Sequence, residues 1–421
     1  GRRGERDSQS KDLDALEELA RQLGDDRILA IVWGRRADYF YSTSDFAHSI
    51  ESAKRVMELV QGHADEALLI SAYMSSALSQ LRLGALEEAM GQARASLALS
   101  RRARLRLEEG RTLNTMGLIA LEQKNPAAAR EHLVEAVAIA HETGDLMLEG
   151  KALNNLANLA GMVQGDFSLA RAYYEQAYEL VHMRGDRYGE GMIVSNLGWC
   201  SGMQGDFKAA RTYHEQSLSI SREVGNVYQE TYTLINLSAA AGIQGEATTA
   251  QQYAAQAYEM SVRTNERSGA AWSQLYLGHA YVLAQEFAKA QQAYTESIRI
   301  RSELGQPGLA IEPKAGLLEV ALKTKDLATA LQHTEDILAH LAGDGTLEGT
   351  EEPLRIYLAC YHALEQSKNL RAQVVLQDAI HLLEAQVSNF SDETARRMYV
   401  ENVPWRLAIQ TAWEAQSRAG A

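Results

Sequence analysis

The sequence predicts an all-α fold, a right-handed α-α superhelix (a solenoid) of about nine helix pairs, and three observations carry that reading. The stretch Gly165 to Ala177, "GDFSLARAYYEQA", returns forty residues later at Gly205 as "GDFKAARTYHEQS". Its opening triplet fills the same register at Ser44-Asp45-Phe46, Gly84-Ala85-Leu86, Lys124-Asn125-Pro126, Gly245-Glu246-Ala247, Gln285-Glu286-Phe287 and Lys325-Asp326-Leu327, at a spacing of 40 with one of 41. A small residue follows five positions after the start at Ala89, Ala129, Ala170, Ala210, Ala250, Ala290 and Ala330, where a bare Cβ lets two helices approach closely. A second series, Gly24, Gly144, Gly185, Gly225, Asn265 and Gly305, follows apolar helical stretches and predicts helix stops. Left-handed backbone is cheapest for Gly and next cheapest for Asn, so Asn265 is a permitted replacement.

Between stops each unit reads as two antiparallel helices joined by the G-D-F turn, with apolar residues at helical spacing: Leu153, Leu156 and Leu159, then Ala170, Tyr173, Tyr174 and Ala177. Along the first helix of successive pairs, Met116-Gly117, Leu156-Ala157, Leu197-Gly198, Leu237-Ser238 and Leu277-Gly278 place a large knob beside a small hole. A single pair cannot bury its apolar stripe, so the chain repeats and stacks it. In chain order, residues 1–11 read as a disordered leader or remnant and 12–341 as the solenoid. Residues 342–353 form an acidic, Gly-rich loop and a candidate mobile joint, 354–390 a last helix pair and 391–421 a capping segment. The segment Asp12 to Gln22 fits the second helix of a pair, and position 1 is Gly, so we expect an excised fragment of a longer protein.

Composition bounds the function. Five Pro, 31 Gly, 46% apolar and 23% charged residues describe a folding chain with no apolar run long enough for a membrane span and no secretory signal. Cys200 and Cys360 lie far apart, which suits a reducing, cytoplasmic setting better than a disulfide framework. A formal charge of −14 argues against direct nucleic-acid binding, and the cluster Arg101, Arg102, Arg104, Arg106 reads as a solvated helix face. "GDLMLEGK" (Gly144 to Lys151) has the glycine and lysine of a phosphate loop but the wrong spacing and no Ser or Thr after the lysine. The eleven histidines show no metal-ligand spacing, and Cys360 and His362 sit too close on one helix to face each other. No metal, cofactor or catalytic constellation is expected, and the chain is read as no enzyme.

These repeats resemble the tetratricopeptide repeat, whose first helix carries L-G or L-A and whose turn and second helix carry G-D-Y/F, then Ala, aromatic, Ala. The likeness runs over roughly residues 12 to 390, with two departures: the 40-residue period and the missing second-helix proline. The closing segment "ETARRMYVENVPWRLAI" (Glu393 to Ile409) and the recurring Glu109, Glu149, Glu190 and Glu230 resemble the C-terminal sensor arms of bacterial STAND-class signalling ATPases and transcription regulators. That resemblance implies a non-catalytic recognition module whose bound ligand or partner releases a nucleotide-binding domain upstream in the parent chain. The alternative is a free-standing adaptor that clamps peptide segments of partner proteins, as in kinesin light chains and LGN-like adaptors.

The expected site is the concave surface lined by the first helices. It carries an asparagine series, Asn114, Asn154, Asn155, Asn158, Asn196 and Asn236, then Trp199, Tyr232, Trp272, Tyr276 and His279, flanked by Met162 and Met203. Amides present donor and acceptor together and suit a peptide backbone or a small polar inducer, while aromatic anchors beside them suit its side chains. The competing reading is that the amides bridge neighbouring repeats. The ladder Tyr173, Tyr213 and Tyr253 reads as packing between repeats.

Overall fold

In the computed structural model, residues 2–60, 65–343, 347, 349–390 and 392–419 are described, with side chains from residue 9 onward. Helices account for nearly all of them: α1 (Arg2–Leu23), α2 (Asp26–Ser42), α3 (Phe46–Val60), α4 (Glu66–Arg82), α5 (Leu86–Ala103), α6 (Arg106–Glu122), α7 (Pro126–Thr143), and α8 (Leu146–Asn158), which passes into a π-helical turn over Leu159–Val163. There follow α9 (Phe167–Met183), α10 (Arg187–Met203), α11 (Phe207–Glu223), α12 (Val227–Ile243), α13 (Ala247–Thr264), α14 (Arg267–Leu283), α15 (Phe287–Glu303), α16 (Ile311–Lys323), α17 (Leu327–Ala342), α18 (Pro353–Gln366), α19 (Arg371–Val387), α20 (Glu393–Glu401) and α21 (Pro404–Ala419). In sequence, α2 to α19 make nine consecutive pairs, and α1 runs helical from Arg2, through the stretch read as a disordered leader. Among the described residues no helix is long and apolar enough to cross a membrane.

The G-D-F motif divides its work among its three residues. The first is a left-handed helix stop at Ser44, Gly84, Lys124, Gly165, Gly205, Gly245, Gln285 and Lys325, so here Gly is preferred but not required. The second, where it is Asp or Asn, caps the following helix: Asp206 accepts from the N–H of Ala209 at 3.0 Å, and Asp166 from that of Leu169 at 2.9 Å, whereas Ala85, Glu246 and Glu286 make no such bond. The third is the first apolar residue of that helix. The other glycine series is also left-handed at every member, Asn265 included, and it has a further member in Arg104, φ 57°. After Lys325 the next such stop falls at Lys368, a stretch caused by the 342–353 segment.

The seven alanines of the second-helix register are all buried. Opposite them the knob-and-hole pattern is literal. A Cβ on Gly117 would lie 2.6 Å from Leu133, one on Gly198 would lie 2.6 Å from His214, and one on Gly278 would overlap the Tyr294 ring. Where the first helix offers no side chain, the second helix supplies a bulky one, and where Ser238 sits instead, its partner register holds Ala254.

The chain divides into two compact units, residues 1–164 with 179–184, and residues 165–178 with 185–421. In the first, consecutive helices α2 to α7 pack on one another around alanines, with Val56, Leu113 and Ile139 among the buried branched residues. In the second, α10 to α19 pack likewise, and the closing helices turn back onto the array: α21 packs on α18 and α19. The Asn402 amide donates to the carbonyl of Gly205 at 2.9 Å, and the Phe390 ring meets Phe167 at 6.0 Å.

Candidate functional site

The second unit holds a cavity of about 830 Å³. Its apolar walls come from first helices and turns: Trp199 and Met203 of α10, Tyr276 and Leu283 of α14, Leu322 of α16, Leu358 of α18, and Phe207. Pro404 and Trp405 of the closing segment complete it. Trp405 thus shares one cavity with Trp199, Tyr276 and His279 of the expected groove.

A chain of charge runs along one side. The Arg355 guanidinium meets both carboxylate oxygens of Glu319 at 2.8 Å, and lies 5.2 Å from the Trp405 ring. Glu352 accepts from the Trp405 indole N–H at 2.8 Å and from Arg406 at 3.1 Å. Arg406 is 1% exposed, lies 3.9 Å from the Tyr399 ring and donates to the carbonyls of Met203 and Tyr399. Tyr276 donates its hydroxyl to Glu351, whose backbone N–H donates to Glu312 Oε2 at 3.2 Å.

Burial governs the protonation of this wall. It pushes the Glu312 carboxyl up to about 8, reinforced by the neighbouring charge of Glu351, and raises Glu351 as well. Burial holds His279 well below the usual histidine range and lowers His214 to about 4, so both imidazoles are neutral at pH 7. The Arg355 guanidinium also suffers from burial, but the Glu319 carboxylate outweighs that cost and keeps it charged.

Of the residues expected from sequence, Trp199, Asn236, Tyr276 and His279 line this cavity together. His279 shares a hydrogen bond of 2.6 Å with the Tyr294 hydroxyl, which fixes its ring. Trp272 stands behind, its ring 6.4 Å from that of Tyr276 and 4.6 Å from the Arg301 guanidinium. Tyr232 turns its hydroxyl to Glu266 at 3.2 Å. Asn196 is half-buried on α10, outside the cavity lining. In the first unit, Asn155 Nδ2 donates to Asn114 Oδ1 at 2.9 Å, a bridge between the first helices of neighbouring repeats. Asn154 and Asn158 are half-buried on the same helix, α8.

The sequence reading missed Glu312, Glu319, Glu351, Glu352 and Arg355: the last three fall where the period is broken, and Glu312 and Glu319 sit in a regular unit at positions where other units carry no carboxylate. Part of the segment taken as a mobile joint, residues 344–346 and 348, lies outside the described residues; its end, Glu351 to Pro353, is tied into the cavity wall. The Arg101 to Arg106 cluster is more than a solvated face: Arg101 meets Glu109 and Glu135 at 2.8 Å each, and Arg106 meets Glu109 at 2.7 Å. Arg187 and Glu190 repeat that last contact at 2.7 Å, so the recurring glutamates are internal ties. Among the described residues no group of three His, Cys, Asp or Glu side chains is placed to hold a metal ion.

Comparison with known proteins places this geometry. Residues 148–223 match the tetratricopeptide repeat family. No curated protein sequence matches significantly. Among solved structures, a STAND protein with a tetratricopeptide repeat sensor from Pyrococcus horikoshii aligns with a TM-score of 0.61 at 15% identity over 78% of this chain. The chain spans 50% of that protein's length. The apo quorum sensor NprR from B. thuringiensis aligns at 0.60 and 13% identity over 80% of this chain and 97% of its own. A Rap protein complexed with Competence and Sporulation Factor aligns at 0.51 and 14% identity, over 82% and 99%. The chain therefore has the all-α tetratricopeptide-type solenoid fold and resembles the sensor of a STAND protein in that fold.

Proposed function

We propose that the chain is a recognition module whose ligand occupies the second-unit cavity, and that it serves as the sensor arm of a STAND-like signalling ATPase or transcription regulator. The observation that carries this is the composition of the cavity: aromatic and aliphatic walls, a few fixed polar groups, and a lid drawn from the closing segment. Trp405 and Arg406 hold that lid through Glu352, so a ligand that displaces Trp405 moves the whole end of the chain. A switch needs two states with different ligand affinity, and a docked or released closing segment provides them. The likeness to a STAND protein's sensor supports the parent, an upstream nucleotide-binding domain supplying the output. The peptide-clamping alternative draws support from the Rap protein of the same fold, in complex with Competence and Sporulation Factor.

A thermal-shift screen of metabolites and short peptides tests the cavity. A true ligand at a hundred times its Kd stabilises by about 2.7 kcal/mol, and Trp199→Ala and Asn236→Ala should each abolish most of that shift. Hits that stabilise these variants as well as the parent would move recognition off the cavity. A phosphate-binding loop upstream in the parent gene would select the STAND reading over the adaptor.

A further inference from the structure

Glu312 stands in the cavity wall at 4% exposure without a cation paired to it. Its Oε2 accepts the Glu351 backbone N–H, and Oε1 has no hydrogen-bond partner among the described residues. Every neighbouring cation is engaged elsewhere. Arg355 on α18 is held by both oxygens of Glu319. Arg301 on α15 donates to Ser268 and Gln306 under the Trp272 ring, and Arg406 is held by Glu352. From α14, Tyr276 donates its hydroxyl hydrogen bond to Glu351, and His279 is neutral. Glu351 and Glu352 face Glu312 with like charge, and the field of Arg355 and the Glu351 N–H offset them only in part. Four carboxylates thus line the cavity, Glu312, Glu319, Glu351 and Glu352, against the cations Lys323 and Arg355.

A buried carboxyl without a counter-charge escapes the desolvation cost by holding its proton, and a cation brought to it reverses that balance. We propose, building on the cavity reading above, that the second-unit cavity takes a ligand bearing a protonated amine, seated against Glu312 Oε1 and Glu351, with its apolar body against Trp199, Leu322, Leu358 and Trp405. An ammonium group offers three donors and no acceptor, which suits a site whose available atoms are acceptors. The amine comes either from a small metabolite or from a peptide's amino terminus.

Binding then expels a proton. At pH 7 Glu312 is largely protonated, so an ammonium ligand displaces that proton and affinity rises as pH is raised from 6 towards 8. The approach to that plateau is up to tenfold per pH unit, the limit for one coupled proton.

The test uses the full chain and isothermal calorimetry with tryptamine, its isosteric acid indole-3-propionate, and a short Trp-containing peptide with a free or an acetylated amino terminus. Expected are tryptamine binding at least tenfold tighter than the acid, and a tenfold or greater loss in Glu312→Gln together with the pH dependence. Glu351→Gln should weaken tryptamine less, and melting curves report whether each variant is folded. Tryptamine alone binding points to a metabolite; free peptide binding better than acetylated points to an amino terminus. Both support the proposal. If the acid binds as well as the amine and Trp199→Ala abolishes both, the cavity reading stands and the amine proposal falls. If neither amine nor free peptide binds the parent chain at millimolar concentration, the amine proposal also falls, and the thermal-shift screen judges the cavity separately.

Discussion

The two units use the same helix pair and place their polar groups in opposite ways. In the first, charge and amide contacts tie neighbouring helices: Arg101 to Glu109 and Glu135, Arg106 to Glu142, Asn155 to Asn114. In the second, the regular ties recur, as in Arg187 to Glu223, but a further set is drawn inward around the place where the period breaks after Lys325. Arg355, Glu319, Glu351, Glu312, Glu352 and Arg406 surround a cavity and hold the closing segment. The difference teaches that repetition builds the scaffold and pairs its buried carboxylates, as at Glu109 and Glu190, whereas a departure from the register leaves a buried carboxyl, Glu312, without a paired cation. Surface pairs contribute at most about 1 kcal/mol each, while loss of one partner from a buried pair costs about 3–5 kcal/mol.

The largest expected effect breaks the comparison at that point. Arg406→Ala leaves Glu352 without its cation and should cost the second unit about 3–5 kcal/mol. Hydrogen exchange should show faster opening around Gly205 and α21 while the first unit keeps its protection; equal loss throughout would mean the two units unfold as one.

A pH titration sharpens the contrast. Glu312 has a folded-state value of about 8, above its unfolded value near 4.5, so between these the folded state binds more protons and its stability falls as pH rises. Between pH 6.5 and 8 the loss should be about 2 kcal/mol, at about 1.4 kcal/mol per unit. His214 and His279 act oppositely, because their folded values are depressed: their contribution is lost as pH falls below about 6.5. Denaturant titration of the parent and of Glu312→Gln isolates the carboxyl, and a slope unchanged in the variant would refute its assignment.

Glycine substitutions probe what the units share. Gly117→Ala in the first and Gly278→Ala in the second should each cost about 1–3 kcal/mol, because Leu133 and Tyr294 fill the space. Gly185→Val, at φ 65° with open space around it, should cost a similar amount through backbone strain alone, and Asn265→Gly should be neutral or mildly stabilising. Chemical denaturation checks all four, and tolerance of Gly185→Val would overturn the helix-stop assignment. The smallest loss belongs to the first unit: Asn155→Ala should cost about 1 kcal/mol, read as a small drop in midpoint. A neutral result would remove the amide bridge from the account of its stability.

Much of the scaffold was legible from particular residues. Gly144, Gly185 and Gly225 announced the stops, Gly165 and Gly205 the turns, and Gly198 and Gly278 the holes, because each answers a local demand of backbone or helix contact that a short window of sequence contains. The register marked Lys124, Gln285 and Lys325 as turn positions, but their left-handed backbone came only with the structure, since nothing in their chemistry asks for that conformation. The site was legible in part. Trp199 stood out against its register and does meet Tyr276, His279 and one member of the asparagine series, Asn236, whereas Asn114 and Asn155 of the same series serve as a bridge.

By itself, then, the sequence determined the helix pairs, their stops and the alternation of small and large residues that lets them stack, since those forces act between residues forty apart or closer. Only the tertiary structure decided that Glu352 would meet Trp405 and Arg406, more than fifty residues on, or that Asn402 would reach back to Gly205. Such contacts leave no periodic trace. Their residues have no counterpart in other repeats, and the burial that raises Glu312 and holds the closing segment exists only once the chain has turned back on itself.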